Sequence, residues 1–362
     1  MRSSSPLGVS QRPLNAKRIR VARLRRGLSQ NELARLLGVT EPTVQKYEAH
    51  SAPHTVRPAL GALLSFPDGF FSRGDPVQLN VSSPALRPGR KTTHQQRSLA
   101  IAAATLYMDV NEWIDTRFSL PRLDVPDLAG LLPAEAAREL RSAWGLGSDP
   151  IPNLVRLAEL RGIRINGLPM AAAAVKSFSH WHNDRPYILL ARASTPEATR
   201  FDLARELGHL VLHRHSGAPS GASHEVQATL FAREFLLPSN VLAQQLNHNP
   251  STEEILETKQ IWSVAALTLT HVARDIGYMT VWSYRSVSSE LTHLGYRTGE
   301  PEGMPGYERS RLFPFVLEST RYGTLTGTRI AQELDLPPAE VHIAMLGAEH
   351  QLQPPESEDP DR

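Results

Sequence analysis

"RFDLARELGHLVLHRH", residues 200–215, is the stretch on which the reading of this chain turns. The apolar strand Tyr187-Ile188-Leu189-Leu190 leads through Pro196 into it, and it reads as a helix. A His-Glu-x-x-His run on a helix puts two imidazoles on one face, where both can hold one zinc ion. The glutamate after the first histidine then takes a proton from metal-bound water. Here the run is Arg205-Glu206-Leu207-Gly208-His209. The spacing is kept, but the first imidazole is replaced by a guanidinium. That group has no available lone pair and stays protonated, so it cannot ligate a metal.

The chain has 362 residues, too many for one core of ordinary size, so two or three domains are expected. Hydrophobic residues make up 41% and charged residues 21%, the balance of a soluble globular protein. No apolar run approaches the ~18 residues that cross a bilayer. The opening Met1-Arg2-Ser3-Ser4-Ser5-Pro6 lacks the apolar core of a secretory signal. A cytoplasmic location without a membrane partner is expected. Cysteine is absent, which excludes disulfides, cysteine-ligated zinc and thiol catalysis. The net charge of +2 is unevenly spread: residues 1–50 carry ten Lys or Arg against three acids, and 351–362 is expected to be a disordered acidic tail. A basic first domain points to a polyanion, nucleic acid before membrane.

That basic end reads "NAKRIRVARLRRGLSQNELARLLGVTEPTVQKYEA" (15–49). Ile19, Ala22 and Leu24 give a first helix its apolar stripe. Ser29-Gln30-Asn31-Glu32 is a capping box that opens a second helix, followed by Leu33, Leu36 and Leu37 at helical spacing. Gly38 ends that helix in a left-handed position. Thr40 caps the next, with Pro42 in its first turn and Val44 and Tyr47 facing inward. Two short helices joined by Leu37-Gly38-Val39 make a helix-turn-helix. The run resembles the Xre/phage-repressor family, in Ser29-Gln30-x-Glu32-Leu33-Ala34, Gly38-Val39-Thr40 and Val44 to Glu48. The resemblance implies a five-helix-type, lambda-repressor-like unit over 1–75, a double-stranded DNA operator as partner, and a homodimer. It places Glu41, Pro42, Thr43 and Lys46 toward base edges and Gln45 nearer the backbone. Gln30, at a helix N-terminus, would hold a phosphate. Arg23 and Glu48 match a scaffold ion pair.

Residues 76–98 read as a linker, with "FPDGFF" (66–71) before it as an apolar anchor expected to dock. Helices are expected over 99–118, 132–146 and 152–161. Short strands are expected at 163–165, 175–181 and 185–191, the last two a hairpin around His182-Asn183-Asp184. The fold class expected is mainly α with a small sheet (α+β).

The segments "FSHWHNDRPYILL" (178–190), "RFDLARELGHLVLH" (200–213), "EVQATLFAREFLLP" (225–238) and "WSVAALTLTHVARDIGYMT" (262–280) agree in order and spacing with one family. They resemble the ImmA/IrrE zinc metallopeptidases. The resemblance implies a zincin-like α+β domain over 99–290. It also implies an activity, cleavage of Xre-type repressors in stress responses or mobile-element induction, and a catalytic zinc. Carried over, Glu206 is the general base, His209 a zinc ligand and Glu225 the carboxylate ligand, with Arg205 in place of the first histidine. Two protein ligands then remain where a catalytic site needs three. Zinc is the cofactor if the site functions; with Arg205 present, no cofactor is the favoured expectation. His213 reads as part of the helix extension, and His215 and His224 as loop histidines. A guanidinium can satisfy two carboxylates at once, so Arg205 is expected to replace the metal as a charge.

Residues 291–350 read as a further helical region. Within it "LTGTRIAQELDLPPAEVHIAML" (325–346) has a helix–turn–helix rhythm without the basic excess of the first, and an ordinary helical pair is favoured. Three functions fit: a DNA-binding regulator with a non-cleaving protease-like domain, an active repressor-cleaving peptidase, or a partner-binding, antitoxin-like module. Arg205 counts against the second, and the basic face against the third.

Overall fold

The computed structural model describes residues 13–79, 92–215, 222–319 and 323–347, so the expected acidic tail lies outside the described residues. The basic end folds as α1 (Ala16–Arg25), α2 (Gln30–Leu37), α3 (Glu41–Ala49) and α4 (Arg57–Leu64). Two short strands, β1 (Leu14–Asn15) and β2 (Ser51–Ala52), pair antiparallel and tie the entry of α1 to the exit of α3. The Ser29–Glu32 capping box is present in both directions, and Gly38 ends α2 at φ 69°. Two details differ from expectation. Thr40 makes no side-chain cap; its hydroxyl meets that of Thr43 at 2.9 Å. Leu36 is 53% exposed, because α2 buries only the face carrying Leu33 and Ala34. The Phe66, Phe70 and Phe71 rings are buried, so the segment after α4 docks, with Arg18 over Phe70 and Arg26 over Phe66.

The long helix α5 (His94–Asp115) starts inside the stretch read as linker, a correction to that boundary. Its own capping box, Thr93 with Gln96, sets the start. The wholly polar run of 94–98, His-Gln-Gln-Arg-Ser, hid it from a reading based on composition. α5 packs on α1 and on a 3-10 turn at Met170–Val175. There follow α6 (Pro133–Ala143), α7 (Leu154–Leu160) and a three-stranded sheet of β3 (Arg164–Gly167), β4 (Ser177–His182) and β5 (Arg185–Leu190). The order is β3-β5-β4, β3 parallel and β4 antiparallel to β5. Asn183 and Asp184 turn the hairpin at φ 47° and 56°, the left-handed values that short polar side chains tolerate.

Helix α8 (Pro196–Leu212) lies across β4 and β5 and packs along α9 (Ala222–Leu236). Gly208 permits this approach: a Cβ there would sit 2.9 Å from the buried Phe231 ring. A helical layer completes the chain: α10 (Ser239–Gln245), α11 (Thr252–Trp262), α12 (Ala266–Asp275), α13 (Val281–His293), α14 (Leu312–Leu317), α15 (Gly327–Leu334) and α16 (Pro338–Ala344).

The pair α15–α16 is an ordinary packed unit, with α16 against α5 and β3. Its Glu340 is 1% exposed and accepts from Arg25 Nε at 2.8 Å and Arg26 Nη1 at 3.1 Å. The C-terminal region thus clasps the first helix of the basic end, and the buried apolar side chains form one contiguous core. Among the described residues no helix is long and apolar enough to cross a membrane.

Candidate functional sites

On α3 the side chains of Pro42, Gln45 and Lys46 are exposed and those of Glu41 and Thr43 half-buried. Arg23 holds Glu48 through two bonds, 2.5 and 2.8 Å, fixing α1 to the end of α3. Gln30 also donates to Glu48, at 2.9 Å, and Asn31 donates to Glu41 at 3.2 Å. The Gln30 side chain, expected to hold a phosphate, is therefore engaged within the protein. Of the residues expected to face DNA, Pro42, Gln45 and Lys46 are the exposed ones. The two helices that carry this face are locked to each other by side-chain pairs on α2 and α3.

The second site lies where α8, α9 and β4 meet. The Arg205 side chain is 12% exposed and sits among carboxylates. Its Nη1 donates to Glu225 at 2.6 Å, and its Nη2 to Glu206 at 3.0 Å and to the Ser177 hydroxyl at 2.9 Å. Asp202, one turn earlier on α8, lies 3.7 Å from Nε. Glu206 is wholly buried, and Ser177 and Ser179 each donate to one of its oxygens at 2.8 Å. His209 Nε2 stands 3.3 Å from Glu225 Oε1, within ion-pair range but off the angle of a hydrogen bond. His209 Nδ1 meets His213 Nδ1 at 3.0 Å, and His213 meets Gln227 at 2.8 Å.

The electrostatics follow from this crowding. Burial alone would raise the Glu225 carboxyl, but the neighbouring His209 ring and the Arg205 charge outweigh it and hold Glu225 at about 2. Burial works against the Arg205 cation, yet Glu206, Glu225 and Asp202 together raise it further. Burial raises Asp202, partly offset by Arg205. Burial also lowers His213, to about 4.

Two protein-family models match the chain: a helix-turn-helix over residues 19–53, and an IrrE N-terminal-like domain, of the M78 peptidase type, over residues 158–271. The chain joins an Xre-like helix-turn-helix to an IrrE N-terminal-like domain. No curated protein matches it.

The residues of this IrrE-like domain do not fit a catalytic zinc. Arg205 places its own cation between Glu206 and Glu225 and occupies Glu225 Oε2. Among the described residues no group of three His, Asp or Glu is arranged to hold a metal. Glu206 is buried and bonded to two hydroxyls and a guanidinium. Of the residues singled out, the fold gathers Arg205, Glu206, His209 and Glu225 into one cluster.

His224 was expected in a loop; it lies instead in α9, its ring stacked on His213 with centroids 4.1 Å apart. His215 contacts Asp127 in an exposed pair. Ser177, Ser179 and Asp202 escaped the sequence reading. Asp202 lies three residues before Arg205, a spacing that shares a helix face. Ser177 and Ser179 alternate along β4 and so share the sheet face turned to α8.

Proposed function

We propose that this chain is a sequence-specific DNA-binding transcriptional regulator whose IrrE-like domain keeps the peptidase fold without peptidase chemistry. It uses that domain for sensing or for binding a protein partner. The observation that carries this reading is the Arg205 guanidinium bonded to both Glu206 and Glu225. A fixed cation there balances the carboxylates that a metal would otherwise balance, and it activates no water. Two copies reading half-sites about one helical turn apart, ~34 Å, would supply the operator length that one short recognition helix cannot.

The test compares metal content and peptide cleavage in the native chain and in Arg205→His. Expected are a native chain without stoichiometric zinc and without chelator-sensitive cleavage of Xre-type repressors, and a variant that gains about one zinc. Near-stoichiometric zinc in the native chain, with cleavage that a chelator abolishes, would overturn the reading and make the protein a repressor-cleaving peptidase.

A further inference from the structure

The first turns of α5 stand beside the reading face of the helix-turn-helix. Gln95 donates its side-chain amide to the Gly27 carbonyl, in the turn that leads into α2, and Leu99 is buried below it. Between the two elements runs a cleft of about 920 Å³. One wall carries Arg20, Gln30, Asn31 and Gln45; the other carries His94, Gln95 and Ser98. The cleft also holds three carboxylates, of which one is paired with a cation and two accept from neutral groups. Glu32 closes the Ser29 capping box, Glu41 accepts from Asn31, and Glu48 is paired with Arg23.

Three features make this wall more than a neighbour. It is fixed in place: the Arg18–Asp109 pair, 2.7 Å and nearly buried, holds α1 to α5 further along, and Gln95 holds it at the cleft. A duplex seated on α3 therefore meets α5 where it stands. The wall is also free of acids, since no Asp or Glu occurs from Thr92 to Met108. Its exposed side chains there, His94 and Gln95, with the half-buried Ser98, are hydrogen-bond donors. Finally, the cleft is continuous with the first turn of α2 and with Gln45, the places expected nearest the DNA backbone.

We propose that the first turns of α5 form a second wall of the DNA interface, with His94 and Ser98 donating to backbone phosphates beside the one held at the start of α2. This rests on the DNA-binding reading above. Contacts of this kind fix register and add affinity without reading sequence. The IrrE-like half of the chain would then touch the duplex through the helix that joins it to the reading domain.

The test uses the full chain, a mixed-sequence B-DNA duplex several turns long, and fluorescence anisotropy over a range of salt. His94→Asp combined with Ser98→Asp is expected to weaken binding about tenfold or more, equally on unrelated sequences, with a shallower salt dependence. His94→Lys is expected to tighten binding several-fold. Unchanged affinity in both variants would overturn the proposal by placing α5 clear of the duplex. Tighter binding in the double aspartate variant would overturn it by making α5 an obstruction. If the unaltered chain binds no duplex at low salt, the DNA-binding reading itself fails, and that outcome is distinct from the other two.

Discussion

At the scale of single residues, Arg205 and His180 show two ways of managing charge away from water. Arg205 is surrounded by carboxylates and stays charged; His180 is surrounded by rings and stays neutral. The His180 ring is 7% exposed, stacks on Tyr187 with centroids 5.2 Å apart, and has no hydrogen-bond partner on either nitrogen. Burial, helped by the nearby His182, lowers it from 6.5 to about 4. Because the unfolded chain takes up this proton first, the stability tied to a neutral His180 is complete above pH 6.5 and is lost as pH falls toward 4. The full effect is on the order of 3 kcal/mol. His180→Phe is expected to flatten the fall in melting temperature across that window, and an unchanged slope would assign the effect elsewhere. Helical spacing made Arg205, Glu206 and His209 legible in the sequence as one face. The hydroxyls of Ser177 and Ser179 were not legible in that way, because only the docking of β4 under α8 gives them Glu206 as a partner.

At the scale of elements, local signals decided the outcome wherever they were strong. The capping box before α2 and the left-handed Gly38 after it are chemical marks that tertiary context does not move. The start of α5 carries a capping box as well, yet it lies beyond a run of Pro, Ser and Gly, and composition masked it. Gly208 is the opposite case, a helix-interior glycine whose reason appears only when α9 is in place. Gly208→Ala gains up to about 1 kcal/mol of helix propensity. It also forces a methyl against the ring of Phe231, which is fully buried. Overpacking of this kind costs about 1–3 kcal/mol, so net destabilisation is expected. Urea midpoints would show it, and pairing the change with Phe231→Leu should recover part of the loss through coupling between the two sites. A stabilised single variant would mean that α8 and α9 can separate freely.

At the scale of the whole molecule, the C-terminal pair α15–α16 is what the sequence presented least clearly. Its rhythm resembled a second reading unit, and its role turned on one buried carboxylate. Glu340 lies 315 residues from Arg25 in sequence, and no local pattern reports such a pairing. Removing it in Glu340→Ala leaves the buried Arg25 without a counter-charge, at a cost of about 3–5 kcal/mol. Hydrogen exchange is expected to quicken in α1 and α16 together. Quickening in α16 alone would mean that the reading domain is held by α5 without it.

The Arg205 cluster has a consequence for supply. A zinc-centred fold must be loaded after synthesis, competes with other ions for its ligands, and can be emptied by scarcity or by a chelator. The cation between Glu206 and Glu225 is delivered by translation, in fixed stoichiometry, and cannot dissociate. On the proposed reading, assembly of this domain is uncoupled from the metal economy of the cell, in starvation and in excess alike.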